Sequence, residues 1–506
     1  MKKIIILLVA LLTCLTAVFA GCGDSTGYEN KLTGFEGEVS SNGGFAVQKG
    51  DYIYFINGVE THTSDNTYGK VEMGSLARVK ASDLSNPEIV IPSLFVAGDK
   101  TSGFYIFGND VYYATPSTAK NKAGEIENTK LCLTKTSLDG KTSTIIETVA
   151  NNATQYRFVE SNGVVYLVLN TVKTIQDKDG HDQEINVVKV INTVTKDAKD
   201  SGKMESAIFA DGNFDSVYYT VIAHDEALDK DEAFNELWNI KLDGTAEPEL
   251  VLNGKDFGVS GAKITLIKET ASHLYFSAAY VDTSVTSVTE YYAFDKASKT
   301  KTLLNNGSKS ASKIFSATSW YNSVNSIVYL DATYGLIEYN YADTTLPEGR
   351  KLIGYGKDLI GYTVKFWQDG YLYLTDSSSN YYRVNVNALL ANPSNDVVAE
   401  RITIFTDSAW YNPEVIGDYF FSITSEDPYT ALVFATKIGE FHATDDDAKE
   451  ALEEKISIIK ESNQAQIKEN IEKFSISFQS ATVKENIETY LEENVTEEDH
   501  SGHNHN

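Results

Sequence analysis

Cysteine, proline and positive charge are all scarce in this chain. Three cysteines and eight prolines are spread over 506 residues. Cys14 and Cys22 belong to an N-terminal targeting segment, which leaves Cys132 alone in the folded part and excludes an intramolecular disulfide. Stability must then come from packing. Cys132 alternates with Leu131 and Leu133, the pattern of a buried, inert thiol. Lys and Arg number 43 against 71 Asp and Glu, a formal net charge of −28. A surface of that sign repels nucleic acid and anionic headgroups, so neither is expected as a partner. Catalytic signatures are missing too: there is no Gly-x-Ser-x-Gly elbow, no His-Glu-x-x-His and no phosphate-binding glycine loop. Enzymes with residues dispersed over several strands remain open.

Tyrosine is abundant, at 30 residues, and it recurs in a fixed phrase of turn, hydrophobic, any, Tyr, hydrophobic. Copies are Gly50-Asp51-Tyr52-Ile53-Tyr54, Asn109-Asp110-Val111-Tyr112, Asn162-Gly163-Val164-Val165-Tyr166 and Asp215-Ser216-Val217-Tyr218. The series continues with Ser272-His273-Leu274-Tyr275, Asn325-Ser326-Ile327-Val328-Tyr329, Asp369-Gly370-Tyr371-Leu372-Tyr373 and Gly417-Asp418-Tyr419-Phe420. The period is about fifty residues, the signature of a propeller or similar array. Each Tyr strand is followed by a second strand, such as Lys130-Leu131-Cys132-Leu133 or Tyr291-Tyr292-Ala293-Phe294. Leu138-Asp139-Gly140 and Leu242-Asp243-Gly244 supply hairpin turns, because Gly accepts positive φ. Short closing runs such as Thr144-Ile145-Ile146 and aromatic-rich openings such as Phe104-Tyr105-Ile106-Phe107 complete four strands per unit.

Four-stranded sheets in radial array are propeller blades. The expected fold is all-β, a β-propeller over residues 32–442 with eight four-stranded blades, or seven as the alternative. The last unit lacks a closing strand, and Lys31-Leu32-Thr33-Gly34-Phe35-Glu36 is expected to supply it, since an unclosed array exposes sheet edges. This grammar resembles the uncharacterised lipoprotein β-propellers of Gram-positive bacteria, and more loosely the TolB-like and YWTD-type propellers. The shared motifs are structural, so the resemblance assigns no functional residue.

Residues 1–21 read as a signal peptide, with Lys2 and Lys3 before the apolar run Ile4–Phe19. Phe19-Ala20-Gly21-Cys22 resembles the lipobox of bacterial lipoproteins, with Phe19 where that family usually has Leu. The resemblance implies acylation of Cys22, a linker over 22–31, and membrane attachment on the extracytoplasmic face; two acyl chains give stable anchoring. After His442 the pattern turns helical over 443–495: Ala448, Leu452, Ile456 and Ile459 share one face, as do Ile467, Ile471, Phe474 and Phe478. Such a stripe docks on its own propeller or on a partner. Residues 496–506 form a His-rich tail without apolar content.

Three sets of residues carry candidate chemistry. Asp177, Asp179 and Asp182 surround Gly180 like a fragment of a calcium loop, although the downstream bidentate Glu is not at the required offset. A hairpin tip gives the same composition. His500, His503 and His505 are candidate transition-metal ligands. Trp320, Trp367 and Trp410 occupy matching places in three late units and are candidates for stacking on a ligand; blade packing explains them equally. Apart from possible calcium, no cofactor is expected. The function expected from these features is non-catalytic binding of an envelope protein, as a scaffold. A glycan-binding module and an enzyme acting on an envelope or extracellular polymer are the alternatives.

Overall fold

The computed structural model describes residues 30–438, apart from 61–70, 72, 97–102, 127–128, 151–154, 178, 210–213, 226–229, 245, 307–310, 333, 342–349, 357–358, 403–411 and 426–429. The signal peptide, Cys22, Trp410, the helical segment 443–495 and the histidine tail lie outside the described residues. No helix among the described residues is long and apolar enough to cross a membrane.

The fold is an all-β propeller of antiparallel four-stranded sheets. Sheet one holds β1 (Ala46–Lys49), β2 (Tyr52–Ile56), β4 (Leu76–Lys80) and β5 (Asp83–Ile91), with β3 (Val59–Glu60) leaving between β2 and β4. Sheet two is β6 (Tyr105–Phe107), β7 (Asp110–Pro116), β8 (Lys130–Ser137) and β9 (Ser143–Ala150). Sheet three is β10 (Tyr156–Ser161), β11 (Val164–Gln176), β12 (Asp182–Asn192) and β13 (Ala198–Asp200). Sheets four to seven span Ser206–Asn253, Lys263–Asn306, Trp320–Gly354 and Thr363–Arg401 in the same strand order. Seven sheets thus come each from one chain segment. The remaining four-stranded sheet is composite: Glu414–Ile416, Tyr419–Ser425 and Thr430–Lys437 are joined by β3. The two blade counts differ by whether this composite sheet is included.

The composite sheet corrects one expectation. The closing strand is β3, with Val59 opposite Ala431 and Glu60 opposite Thr430. Segment Lys31–Glu36 forms no strand. Its carbonyls are taken instead by a buried arginine: Arg78 Nη2 donates to Thr33 O at 2.9 Å and Nη1 to Gly34 O at 3.4 Å. A two-residue strand satisfies the sheet edge, and the arginine satisfies the segment.

By contact density the chain divides into two compact units. Among the described residues, one comprises those of 30–218, 239–249 and 412–435; the other comprises those of 219–238, 250–402 and 436–438. Within the first, Phe45, Tyr54, Leu76, Val90, Phe104 and Tyr113 form one apolar core, and Tyr112, Leu133, Phe158 and Leu167 belong to a second. Within the second unit, Tyr275, Tyr291, Phe315 and Tyr329 cluster. The repeated tyrosines therefore sit in the core, on the second strand of their sheets. The turn before that strand explains the rest of the phrase. Between β10 and β11, Ser161 pairs with Val164, so only Asn162 (φ 52°) and Gly163 (φ 76°) turn the chain. Both need the left-handed region that Asn and Gly tolerate.

Candidate functional site

The sheets differ in the length of their middle strands. Those of sheet three run 13 and 11 residues and those of sheet four 10 and 12, where those of sheet seven run five each. β10 pairs with β11 only as far as Tyr156 opposite Leu169, and Asn170 N then donates to Gln155 O at 2.9 Å. β13 reaches only Lys189, after which Ser201 N donates to Val188 O at 2.9 Å. Beyond those points, among the described residues, β11 and β12 pair only with each other, from Thr171 opposite Val187 to Gln176 opposite Asp182. A two-stranded ribbon thus extends past the four-stranded sheet. Its polar sequence fits that exposure: Val172, Lys173, Thr174, Asp182, Gln183 and Glu184 are all exposed.

A groove of about 750 Å³ lies between this ribbon and the end of β9, the edge strand of sheet two. Its walls include Glu147, Gln155, Asn170, Lys173, Lys189 and Asp200. Two ion pairs frame it. Lys189 Nζ lies 2.5 Å from Glu147 Oε2, joining sheet three to sheet two. Lys173 Nζ lies 2.7 Å from Asp200 Oδ2. Burial would raise the Asp200 carboxyl, but the Lys173 ammonium and the Gly202 amide outweigh it and hold it below the ordinary range. Asp200 is therefore a fixed negative charge and not a proton donor at neutral pH. Asn170 Nδ2 donates to Gln155 Oε1 at 3.2 Å, a polar floor where β10 ends.

The sequence candidates fall elsewhere or into this ribbon's tip. Asp177 and Asp179 lie in the turn, and with His181 they bring one ligand atom each within 4.8 Å of one another. Asp182 stands apart from that cluster, on β12 opposite Gln176. Asp177 Oδ1 already accepts from the Asp179 amide at 2.9 Å and the His181 amide at 2.8 Å. Those bonds close the turn, and they lower the Asp177 carboxyl, the His181 amide foremost. Trp320 and Trp367 are brought together: their rings stack at 5.7 Å and 21°, and Trp367 Nε1 donates to Thr318 O at 2.7 Å. Both pack on the apolar cluster of Leu336, Leu372 and Val384. Each indole gives one face to the other. Cys132 is buried, its Sγ 3.8 Å from Thr148 Oγ1.

One arrangement has the residue types of a hydrolytic triad. Ser272 Oγ lies 2.8 Å from His273 Nδ1, and His273 Nε2 lies 3.6 Å from Asp295 Oδ2. The second distance exceeds a hydrogen bond. Asp295 Oδ1 accepts from Ala297 and Ser298 amides, and the Ser298 amide is the main reason its carboxyl is lowered. The three residues tie two turns of sheet five together, and they do not line the groove.

Lys173, Lys189, Glu147 and Asp200 were missed from sequence because they come from separate strands. No local signal marks them, since sheet four carries middle strands of similar length.

No family model and no curated protein matches the chain. The resemblance to Gram-positive lipoprotein propellers is therefore supported only as a β-propeller fold. Among solved structures the chain is similar to a puromycin-hydrolyzing peptidase of Mycobacterium tuberculosis, at 10% identity and TM-score 0.34, covering 81% of this chain and 55% of that one. It is similar to the β-propeller domain of the Trilobed protease from Pyrococcus furiosus, at 8% and 0.33, covering 81% and 98%. A structure from an analysis of two prolyl endopeptidases matches at 10% and 0.37, covering 80% and 55%. The chain spans about half the length of the first and the last. All three are named as peptidases or as part of a protease. The expected non-catalytic scaffold for an envelope protein has no counterpart among them, and that expectation is corrected. At these TM-scores none of them assigns an activity or a site to this chain.

Proposed function

We propose that this propeller receives extended polypeptide in the groove between β9 and the β11–β12 ribbon. The observation that carries this reading is the groove itself: a long, polar trough bordered by two strand edges and framed by charges of both signs. Peptide groups lining a trough suit a ligand with a peptide backbone, because main-chain hydrogen bonds give affinity to any extended sequence. Among the described residues its walls carry no aromatic ring, which disfavours a sugar as occupant. Glu147 and Asp200, each held by a lysine, supply fixed charges that orient a peptide.

The reading includes a location. Lys2, Lys3, the Ile4–Phe19 run and Ala20-Gly21-Cys22 support a chain acylated at Cys22 and held at the extracytoplasmic face of a membrane. Cys22→Ser is expected to move the protein from the membrane fraction to the soluble fraction; continued sedimentation with membranes would count against the anchor.

The binding test is fluorescence anisotropy with labelled extended decapeptides and labelled oligosaccharides of matched length. Wild type is expected to bind peptides, and the double variant Glu147→Lys, Asp200→Lys to bind them at least tenfold more weakly. Saturable binding of oligosaccharides without peptides would overturn the reading.

A further inference from the structure

Asn30, where the described chain begins, is pinned by every polar group it has. It is 7% exposed. Its Nδ2 donates to Leu138 O at 2.7 Å and to Val90 O at 3.0 Å. Its Oδ1 accepts from the Leu32 amide at 3.1 Å, and its own amide donates to Asp139 O at 3.2 Å. Leu138 and Asp139 lie in the hairpin between β8 and β9. The chain is thus fastened to that hairpin eight residues after Cys22. Fully extended, a tether of that length covers at most about 28 Å.

The hairpin marks one end of sheets two and three. β9 leaves it at Ser143 and ends at Ala150, opposite Lys130. Sheet three lies the same way. Lys196, in the turn between β12 and β13, donates from Nζ to Ile145 O at 2.9 Å, and Lys189, earlier on β12, meets Glu147 further along β9. β11 starts at this end too, where Thr193 N donates to Val165 O at 3.1 Å. It runs 13 residues to Gln176, a span of about 40 Å at the usual strand rise. The groove borders its later half and the last residues of β9, Thr148 to Ala150. The Asn30 latch and the groove therefore stand toward opposite ends of these sheets.

We propose that Cys22 holds the β8–β9 hairpin toward the membrane and leaves the groove facing outward, so that its polypeptide ligand arrives from the medium and not from the bilayer. This rests on the proposed acylation of Cys22 and adds a direction of approach to the proposed groove. The tether is shorter than β11, so the hairpin end stays near the lipid while the ribbon tip stands off from it. Charge acts in the same sense. The chain carries a net −28, which anionic headgroups repel, so the body is held by its tether and is not drawn down onto its side.

Energy transfer to the membrane plane tests the orientation. The lipidated full-length protein is bound to phosphatidylcholine vesicles that carry rhodamine-labelled headgroups. A thiol-linked donor dye is placed by Lys141→Cys in the hairpin or by Asp179→Cys at the ribbon tip, both exposed positions. Cys132 is buried and takes no dye in the folded protein. Transfer from position 141 is expected to be at least about twice that from position 179. Equal transfer, the mark of a body lying on its side, overturns the proposal, as does greater transfer from position 179. About ten Gly and Ser residues inserted after Gly23 lengthen the tether to about 60 Å. That insertion is expected to bring the two signals together with vesicle binding unchanged; a difference that persists means that something other than the tether orients the protein, and overturns the proposal. Cys22→Ser is expected to give no transfer from either position. Transfer retained in Cys22→Ser, or absent from wild type, sinks the anchor and the orientation with it. Affinity for a labelled extended decapeptide is expected to agree within about twofold between vesicle-bound wild type and soluble Cys22→Ser. Loss of binding on the vesicle alone means a groove turned to the lipid and overturns the proposal. No peptide binding by either protein sinks the groove reading, and the transfer ratio still decides the orientation.

Discussion

Arg78 and Glu88 face each other on β4 and β5, with Arg78 Nε and Nη2 each 3.0 Å from Glu88 Oε2. The arginine side chain is 2% exposed and the glutamate 42%. The guanidinium also lies 4.0 Å from the centre of the Tyr52 ring and 4.9 Å from that of Phe35. Its remaining donors hold the carbonyls of Thr33 and Gly34. One buried cation therefore fastens the segment before β1 to the face of sheet one. Arg78→Ala is expected to destabilise the protein by about 3 kcal/mol, because it leaves the carbonyls of Thr33 and Gly34 without their donor and empties the space beside Tyr52 and Phe35. The amides of Ser40 and Gly50, which bond to Gln48 O and Glu38 O, should exchange faster with solvent deuterium than in wild type. Unchanged exchange there would show that the segment holds without the arginine.

The stacked pair Trp320 and Trp367 makes a second prediction. If these rings serve packing, Trp367→Ala should lower stability by about 3 kcal/mol, and Trp367→Phe by about 1 kcal/mol for the lost bond to Thr318 O. The measurement is the urea midpoint of each variant. A Trp367→Ala variant of wild-type stability would return these indoles to the list of ligand contacts.

The propeller was legible because its phrase repeats: Tyr54, Tyr113, Tyr275 and Tyr373 are each core residues on the second strand of a sheet. The closing strand was not legible. Val59 and Glu60 carry no strand pattern of their own, and they acquire one only by lying beside Thr430 and Ala431. Leu32-Thr33-Gly34-Phe35 alternates like a strand, but Arg78 takes the carbonyls that a sheet would have used. The groove was hidden for a different reason. Lys189 and Glu147 stand 42 positions apart, and no local spacing joins them.

Acid should expose the hairpin between β8 and β9. Asp139 accepts from the Ser137 hydroxyl at 2.7 Å and the Lys141 amide at 3.1 Å. These bonds hold its carboxyl at about 2, below the ordinary 3.8. A depressed folded-state pKa means that the ionised form supports the fold above the unfolded value, and that this support is lost as pH falls from about 4 toward about 2. Asp139→Asn should therefore differ from wild type in urea midpoint at neutral pH and converge with it near pH 2. Parallel curves across that window would mean that Asp139 carries no linkage.

Lys189 and Glu147 join sheets two and three at the wall of the groove, and both side chains are partly exposed, at 31% and 26%. Partial exposure limits the energy of the pair, so Lys189→Met and Glu147→Gln should each cost about 1 kcal/mol. Their combined cost should fall short of the sum by about half a kcal/mol or more, the coupling of a direct contact. Binding should behave differently from stability. If the pair only spaces the two sheets, the double variant should recover wild-type affinity for an extended decapeptide, since two neutral groups restore the balance of charge. If Glu147 orients the peptide's cations, affinity should stay low in both Glu147→Gln and the double variant while Lys189→Met alone tightens binding by freeing the carboxylate. Isothermal titration of the four proteins separates these outcomes, and a groove whose fixed carboxylates orient the peptide requires the second.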